Sequence, residues 1–203
     1  MITPFIGFAG NIGSGKTTFT RFISKSQNWI PFYEPVSDNP YLEDFYNDMP
    51  RWSFNLQVYF LHKRFEMHKK MSQMKMGVVQ DRTIFEDKEI FAKNLYEMKK
   101  ISQRDWENYS GLFASMVSFL KKPDLVIYLK ASTDILLKRI QSRNRDFEKN
   151  VDPGYIRTLN VAYDRWVEKE KRYPIIINTD NFNIYKDQQS FKKIEKKILK
   201  TLL

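Results

Sequence analysis

A three-layer α/β fold around a five-stranded parallel sheet is what this sequence predicts, on three observations. Short apolar runs rich in β-branched residues alternate with longer runs of helical period. The apolar runs are near-continuous, as expected of strands covered on both faces. A glycine-rich turn follows the first of them and opens the first helix.

The expected strands are Pro4–Ala9, Trp29–Tyr33, Gly77–Gln80, Leu125–Leu129 and Ile175–Asn178. Helical periodicity predicts helices over Thr17–Ser26, Arg51–Met76, Phe85–Lys99, Asp105–Leu120, Asp134–Ser142 and Pro153–Lys171. Ser132 or Thr133 is placed to cap the Asp134 helix, and Pro153 suits a first helical turn. Near the end of the chain, Phe191, Ile194, Ile198 and Leu202 form one apolar stripe among lysines.

The 203 residues suit one α/β domain, and no repeat or low-complexity linker divides them. Without cysteine, neither disulfides nor thiolate metal sites are available, and a reducing cytosol is the expected home. No uncharged apolar run reaches the ~18 residues a membrane span needs. Structure is expected from residue 4, which leaves no room for a cleaved leader. The net charge of +10, from 34 Lys and Arg against 24 Asp and Glu, favours polyanionic ligands. Much of that charge is expected on solvated helix faces.

Gly10-Asn11-Ile12-Gly13-Ser14-Gly15-Lys16-Thr17 matches the phosphate-binding pattern G-x-x-x-x-G-K-[ST] in full, and Thr18 continues into the helix. A buried strand before it and a helix after it are the context that pattern requires. Backbone N–H groups there converge on phosphate at the positive end of a helix dipole. Lys16 is expected to reach the β- and γ-phosphates of ATP, and the Thr17 hydroxyl to bind Mg²⁺. The fold is thus expected to be of the P-loop NTPase type.

Three further constellations narrow the chemistry. Glu34-Pro35-Val36 ends the second strand, where a carboxylate faces the ligand crevice and can take a proton from a hydroxyl. Asp81-Arg82-Thr83 ends the third, with Asp81 placed for Mg²⁺ and Arg82 for the acceptor hydroxyl or the moving phosphoryl group. Arg139, Arg143 and Arg145 gather at the end of a helix, creating a positive field suited to an arginine-rich lid over about 139–150.

Together with Phe45-Tyr46-Asn47-Asp48 and Gln57, these residues resemble the deoxynucleoside kinase family, most closely its bacterial deoxyadenosine/deoxyguanosine kinases. The resemblance runs from the glycine loop through the lid and the following helix. It implies transfer of the γ-phosphoryl group of Mg-ATP to the 5′-hydroxyl of a deoxynucleoside, a purine one, in nucleotide salvage. It implies Glu34 as base with Arg82 beside it, and Tyr46 and Glu148 on the sugar 3′-hydroxyl. It also implies Gln57 on the base edge, Phe91 stacked on the base, and Arg64 with Asp87 as base readers. Taken alone, Arg64–Asp87 also fits a surface salt bridge and Phe91 a core position. Asp180 and Phe182 are candidates near the adenine of ATP. Family members pair as homodimers through long helices, which Arg51–Met76 and Asp105–Leu120 permit.

Two departures are visible. Ser37-Asp38-Asn39-Pro40 stands where many animal members have a tryptophan, and Asp81 where they often have glutamate. A nucleoside monophosphate kinase of the thymidylate kinase kind is the nearest alternative. It needs an arginine near Glu34 for the acceptor's phosphate, and no cation follows until Arg51. A regulatory NTPase or nucleic-acid-binding protein is less well supported: the aromatics fall on strands and helix stripes, and no guanine-reading Asn/Thr-Lys-x-Asp motif occurs.

Overall fold

A computed structural model describes residues 3–36, 39–169, 175–185 and 187–202. In chain order these form β1 (Phe5–Ala9), α1 (Lys16–Gln27), β2 (Ile30–Phe32), α2 (Leu42–Asn47) and α3 (Met49–Ser72). There follow β3 (Val78–Asp81), α4 (Ile84–Glu86), a π-helical turn (Asp87–Ala92), α5 (Lys93–Glu97) and α6 (Gln103–Val117). The chain continues through β4 (Leu125–Lys130), α7 (Thr133–Ser142), a 3₁₀ turn (Asp146–Glu148), α8 (Pro153–Lys169), β5 (Ile175–Asn178) and α9 (Gln188–Leu202). The expected Ser37-Asp38 segment and the end of the expected Pro153–Lys171 helix lie outside the described residues.

All five strands are parallel, in the order β2-β3-β1-β4-β5. Central β1 is buried throughout, as its run of Phe5, Ile6, Phe8 and Ala9 requires. One face of the sheet packs Ile6, Phe8 and Ile127 against Phe19 and Ile23 of α1 and Phe191 and Ile198 of α9. The other packs Ala9, Val126 and Tyr128 against Phe91, Leu159 and Tyr163. Two apolar faces with helices on each make the three layers. Coverage of every strand on both faces is not observed: β5, at the sheet edge, leaves Ile176 half exposed. Edge strands have only one neighbour, and the described residues leave the β5 face of Ile176 and Asn178 exposed.

The stripe on α9 packs as expected, with Ile198 buried and Ile194 and Leu202 against the same cluster. Ile198→Ala is expected to lower stability by about 2–5 kcal/mol, the usual cost of emptying a buried aliphatic site. A shifted urea midpoint with unchanged kcat per folded enzyme is the result to look for.

Several boundaries differ from expectation for local reasons. α3 begins at Met49, because Asp48 accepts from Arg51 N and Pro50 fits the first turn; it stops at Ser72 instead of Met76. α2, six residues long, is too short to show a period. The helix expected over Phe85–Lys99 contains the π turn, which widens the backbone between α4 and α5. Ser132 holds the N-cap position of α7 without a side-chain cap bond; the Asp180 carboxylate accepts the Ser132 N–H at 2.7 Å.

Candidate active site

Strand register gathers the expected functional segments at one rim. Phe8 pairs with Asp81 and Phe32 with Gln80. The glycine loop, Arg82 and Glu34 therefore emerge side by side beyond the carboxyl ends of β1, β3 and β2. A cavity of about 590 Å³ opens there. Such crevices beyond strand ends are where open α/β sheets bind ligands.

The glycine loop forms the floor. Gly10, Gly13 and Gly15 stand at φ of 151°, 84° and 97°, which side chains bearing Cβ rarely adopt. At Gly10 an added Cβ would lie 2.7 Å from Leu129 O. Gly15 occupies the N-cap of α1 with no side-chain cap, so the first-turn N–H groups stay available for an anion. Ile12, Gly13, Ser14, Gly15, Thr17 and Thr18 line the cavity, whereas Gly10 and Asn11 do not. Asn11 braces the loop from behind: its Nδ2 donates to Ile156 O at 2.9 Å and Asn160 Oδ1 at 2.8 Å. Lys16 Nζ donates to Asn11 O at 3.0 Å. Burial, with Arg82 nearby, lowers its ammonium to about 8, against the opposing pull of Asp81 and Glu34.

At the acceptor side, Glu34 Oε1 accepts from Arg64 Nη2 at 2.7 Å and from Arg82 Nε at 3.0 Å. Burial opposes its charge, but Arg82 and Arg64 overcome that and lower its carboxyl to about 2. Glu34 is thus a carboxylate at every working pH. Arg64 is fully buried and lies behind the cavity wall, bonded also to Asp87 and, at 2.9 Å, to Arg82 O. This overturns the surface salt-bridge alternative. Asp87 does line the cavity, and burial raises its carboxyl to about 6 despite the attraction of Arg64.

Gln57, Phe91 and Tyr46 line the same cavity, and the buried Gln57 Oε1 has no partner among the described residues. The π turn carries both Asp87 and Phe91, the expected base-facing residues, into the wall. Phe91 is mostly buried and packs in the core cluster, so the core position holds while the residue also lines the cavity.

For a metal, Thr17 Oγ1 donates to Asp81 Oδ2 at 2.5 Å, and Asp81 Oδ1 is buried with no partner among the described residues. A hydroxyl and a carboxylate with a spare oxygen suit a hard divalent cation.

The three clustered arginines all have partners. Arg139 donates to Thr179 Oγ1 at 3.0 Å and Thr179 O at 2.5 Å. Arg143 grips Glu148 through two bonds, of 2.6 and 2.5 Å, with Arg145 3.7 Å from the same carboxylate. The open positive field expected of this cluster is therefore partly neutralised by Glu148. All three arginines and Glu148 line the cavity, as does Phe182; Asp180 does not, being engaged with Ser132.

Residues 6–203 match the family described as deoxynucleoside kinase. The chain belongs to the deoxynucleoside kinase family. It is 41% identical over 179 residues to deoxyadenosine kinase of Dictyostelium discoideum, covering 87% of this chain and 73% of that one. It is 35% identical over 192 residues to deoxyadenosine/deoxycytidine kinase of Bacillus subtilis (strain 168), covering 93% and 88%. A solved deoxyadenosine kinase from M. mycoides with bound dATP superposes with a TM-score of 0.81 at 30% identity, over 94% of this chain and 98% of that one. The fold is thus that of P-loop kinases, and the activity is ATP-dependent phosphorylation of a deoxynucleoside.

Sequence reasoning about this kinase missed Glu86, Tyr163 and Asn160. Glu86 and Tyr163 are buried beside Arg82, and Asn160 holds Asn11. Glu86 lies four residues from Arg82 and three from the capping Thr83, a spacing that was available as a signal. Tyr163, on a helix 81 residues away, offered none.

Proposed function

We propose that this kinase transfers the γ-phosphoryl group of Mg-ATP to the 5′-hydroxyl of a purine deoxynucleoside, with Glu34 receiving the hydroxyl proton. The observation that carries this reading is the Glu34 carboxylate at the cavity wall, bonded to Arg64 and Arg82. A monophosphate acceptor would meet an anion at this point; a neutral hydroxyl meets a proton acceptor. In a loose phosphoryl-transfer transition state the hydroxyl becomes acidic late, so a weakly basic carboxylate suffices. Arg82, Lys16 and the arginines of the 139–150 lid oppose the charge that develops on the phosphoryl oxygens. Thr17 and Asp81 would hold Mg²⁺, which neutralises phosphate charge when bound.

Base recognition is assigned to Gln57 and Asp87, with Arg64 holding Asp87 from behind. An amide offers both N–H donors and a carbonyl acceptor, and the unpartnered Gln57 Oε1 suits a purine amino group. Phe91 supplies a face for stacking, and Tyr46 with Glu148 would take the sugar 3′-hydroxyl once Glu148 exchanges its arginine contacts. The M. mycoides enzyme has been solved with dCMP among its products, which supports deoxycytidine as a second acceptor here. We place the enzyme in the cytosol, in salvage, as a homodimer joined through α3 and α6, near which Leu112 and Phe119 are exposed.

The test is chemical. Deoxyadenosine is expected to be phosphorylated, and 2′,5′-dideoxyadenosine to compete without accepting phosphate. Phosphorylation of the 5′-deoxy analogue would contradict 5′ transfer. Asp87→Asn is expected to raise KM for deoxyadenosine about tenfold or more, the loss of a buried charged hydrogen bond, with less effect on kcat. Burial raises the Asp87 carboxyl to about 6, and the charged form is the one that binds. Wild-type kcat/KM for the nucleoside should therefore rise as pH rises through about 6, and that inflection should vanish in Asp87→Asn.

A further inference from the structure

Arg82 stands at φ 65°, a left-handed conformation that a residue other than glycine keeps only when its surroundings hold it. What holds it is a buried network that the mechanism above does not use. Glu86 Oε1 accepts from Arg82 Nη1 at 2.9 Å, from Gly10 N at 3.2 Å, and from the Tyr163 hydroxyl. The Tyr163 oxygen in turn accepts from Arg82 Nη1 at 2.7 Å and lies 2.8 Å from Gly10 O. Both side chains are fully buried.

We propose that Glu86 and Tyr163 are positioning residues that lock Arg82 to the first residue of the phosphate loop. The acceptor-side arginine and the donor-side loop are thereby held at one fixed separation. This rests on Arg82 acting at the acceptor or the transferring group. Four elements meet in the network: the end of β1 at Gly10, the end of β3 at Arg82, α4 at Glu86 and α8 at Tyr163. Around the guanidinium, Nε is committed to Glu34 and Nη1 to Glu86 and Tyr163, while the Phe91 ring lies 4.2 Å beneath it. Rotation of the group is fixed at two edges and one face. Only Nη2 has no hydrogen bond among the described residues, and Arg82 lines the cavity. The network therefore leaves one end of the guanidinium for a ligand and orients it.

A purely packing role fits these residues poorly. Glu86 Oε2 is buried without a partner among the described residues, a costly arrangement where an apolar side chain would pack freely. Tyr163 already packs well by its ring alone, stacked on Tyr128 at 5.5 Å and 15°. Its hydroxyl is the part that packing does not require. Displacement of a catalytic group by about 1 Å costs on the order of 100-fold in rate, so a brace of this kind reads out in turnover.

The variants are Tyr163→Phe and Glu86→Gln, which keep ring and shape, with Arg82→Lys as reference. KM for both substrates, kcat and Tm are measured for each, and for the Arg82→Lys/Tyr163→Phe double variant. Arg82→Lys is expected to lower kcat, and Tyr163→Phe and Glu86→Gln to lower it about 10- to 100-fold with both KM values changed less than threefold. The double variant should be no slower than Arg82→Lys alone, because the brace acts only through that arginine. A packing role would lower Tm, leave kcat per folded enzyme intact and add in the double variant. If Arg82→Lys is slow but Tyr163→Phe and Glu86→Gln turn over within twofold of wild type, the brace is wrong and the role of Arg82 stands. An Arg82→Lys enzyme of normal kcat removes that role and the brace with it.

Discussion

Glu34→Ala is expected to lower kcat by about 10²–10⁴-fold, the range over which a positioned proton acceptor contributes, while nucleoside affinity changes far less. Among the described residues its side-chain hydrogen-bond partners are Arg64 and Arg82. Its loss leaves two buried guanidinium groups short of one acceptor, so some loss of stability should accompany the loss of rate. Glu34→Gln separates the two effects, since the amide oxygen can still accept one of those bonds but the charge is gone. A Gln variant that folds with near-normal Tm and remains slow assigns the loss to proton transfer; unchanged kcat in either variant removes Glu34 from that role. The acid limb gives an independent check. Because Glu34 is lowered to about 2 in the folded protein, it contributes stability above the ordinary carboxylate range, near 4.5. That contribution is lost as pH falls from there through about 2. No limb of the rate profile near pH 6 should be ascribed to Glu34; that region belongs to Asp87.

Lys16→Ala is expected to lower turnover by about 10²–10³-fold or more, as removal of a fixed charge at a developing anion does. Folding should survive, because the ammonium makes one hydrogen bond among the described residues, to Asn11 O, and its burial is itself unfavourable. Circular dichroism and Tm close to wild type, with ADP release near background, are the paired observations to seek. In the wild type, kcat/KM for ATP should fall as pH rises through about 8, where the free enzyme's Lys16 loses its proton. In Lys16→Arg, whose side chain stays charged, that alkaline limb should be absent even if the rate is lower.

Strands and the glycine loop were legible because their signals are local. An apolar run, three glycines and a Lys-Thr pair specify a strand, a turn with positive φ and an uncapped helix start without help from the rest of the chain. Glu34 and Asp81-Arg82 were legible by position, since each ends a strand and all parallel strands end at one rim. The long α3 likewise showed Gln57 and Arg64 seven residues apart on one side. What sequence could not show is how the side chains share partners. Arg64 reaches Asp87, Glu34 and the Arg82 carbonyl from behind the wall. Arg143 and Arg145 meet Glu148. Tyr163 comes from α8 to close the network around Arg82. The π turn at Asp87–Ala92 was hidden because one extra residue per turn barely disturbs an apolar period, although it alters which residues face the cavity. Short α2 and the Asp180 contact with Ser132 depend on tertiary neighbours alone.

The most direct test of the central claim is ADP release from Mg-ATP with the four deoxynucleosides, the four ribonucleosides and the deoxynucleoside monophosphates as acceptors, side by side. Turnover with deoxyadenosine or deoxyguanosine, weak turnover with ribonucleosides and none with monophosphates is the predicted result. Turnover confined to a monophosphate would contradict it, and would replace Glu34 as proton acceptor with a site that binds an anionic acceptor.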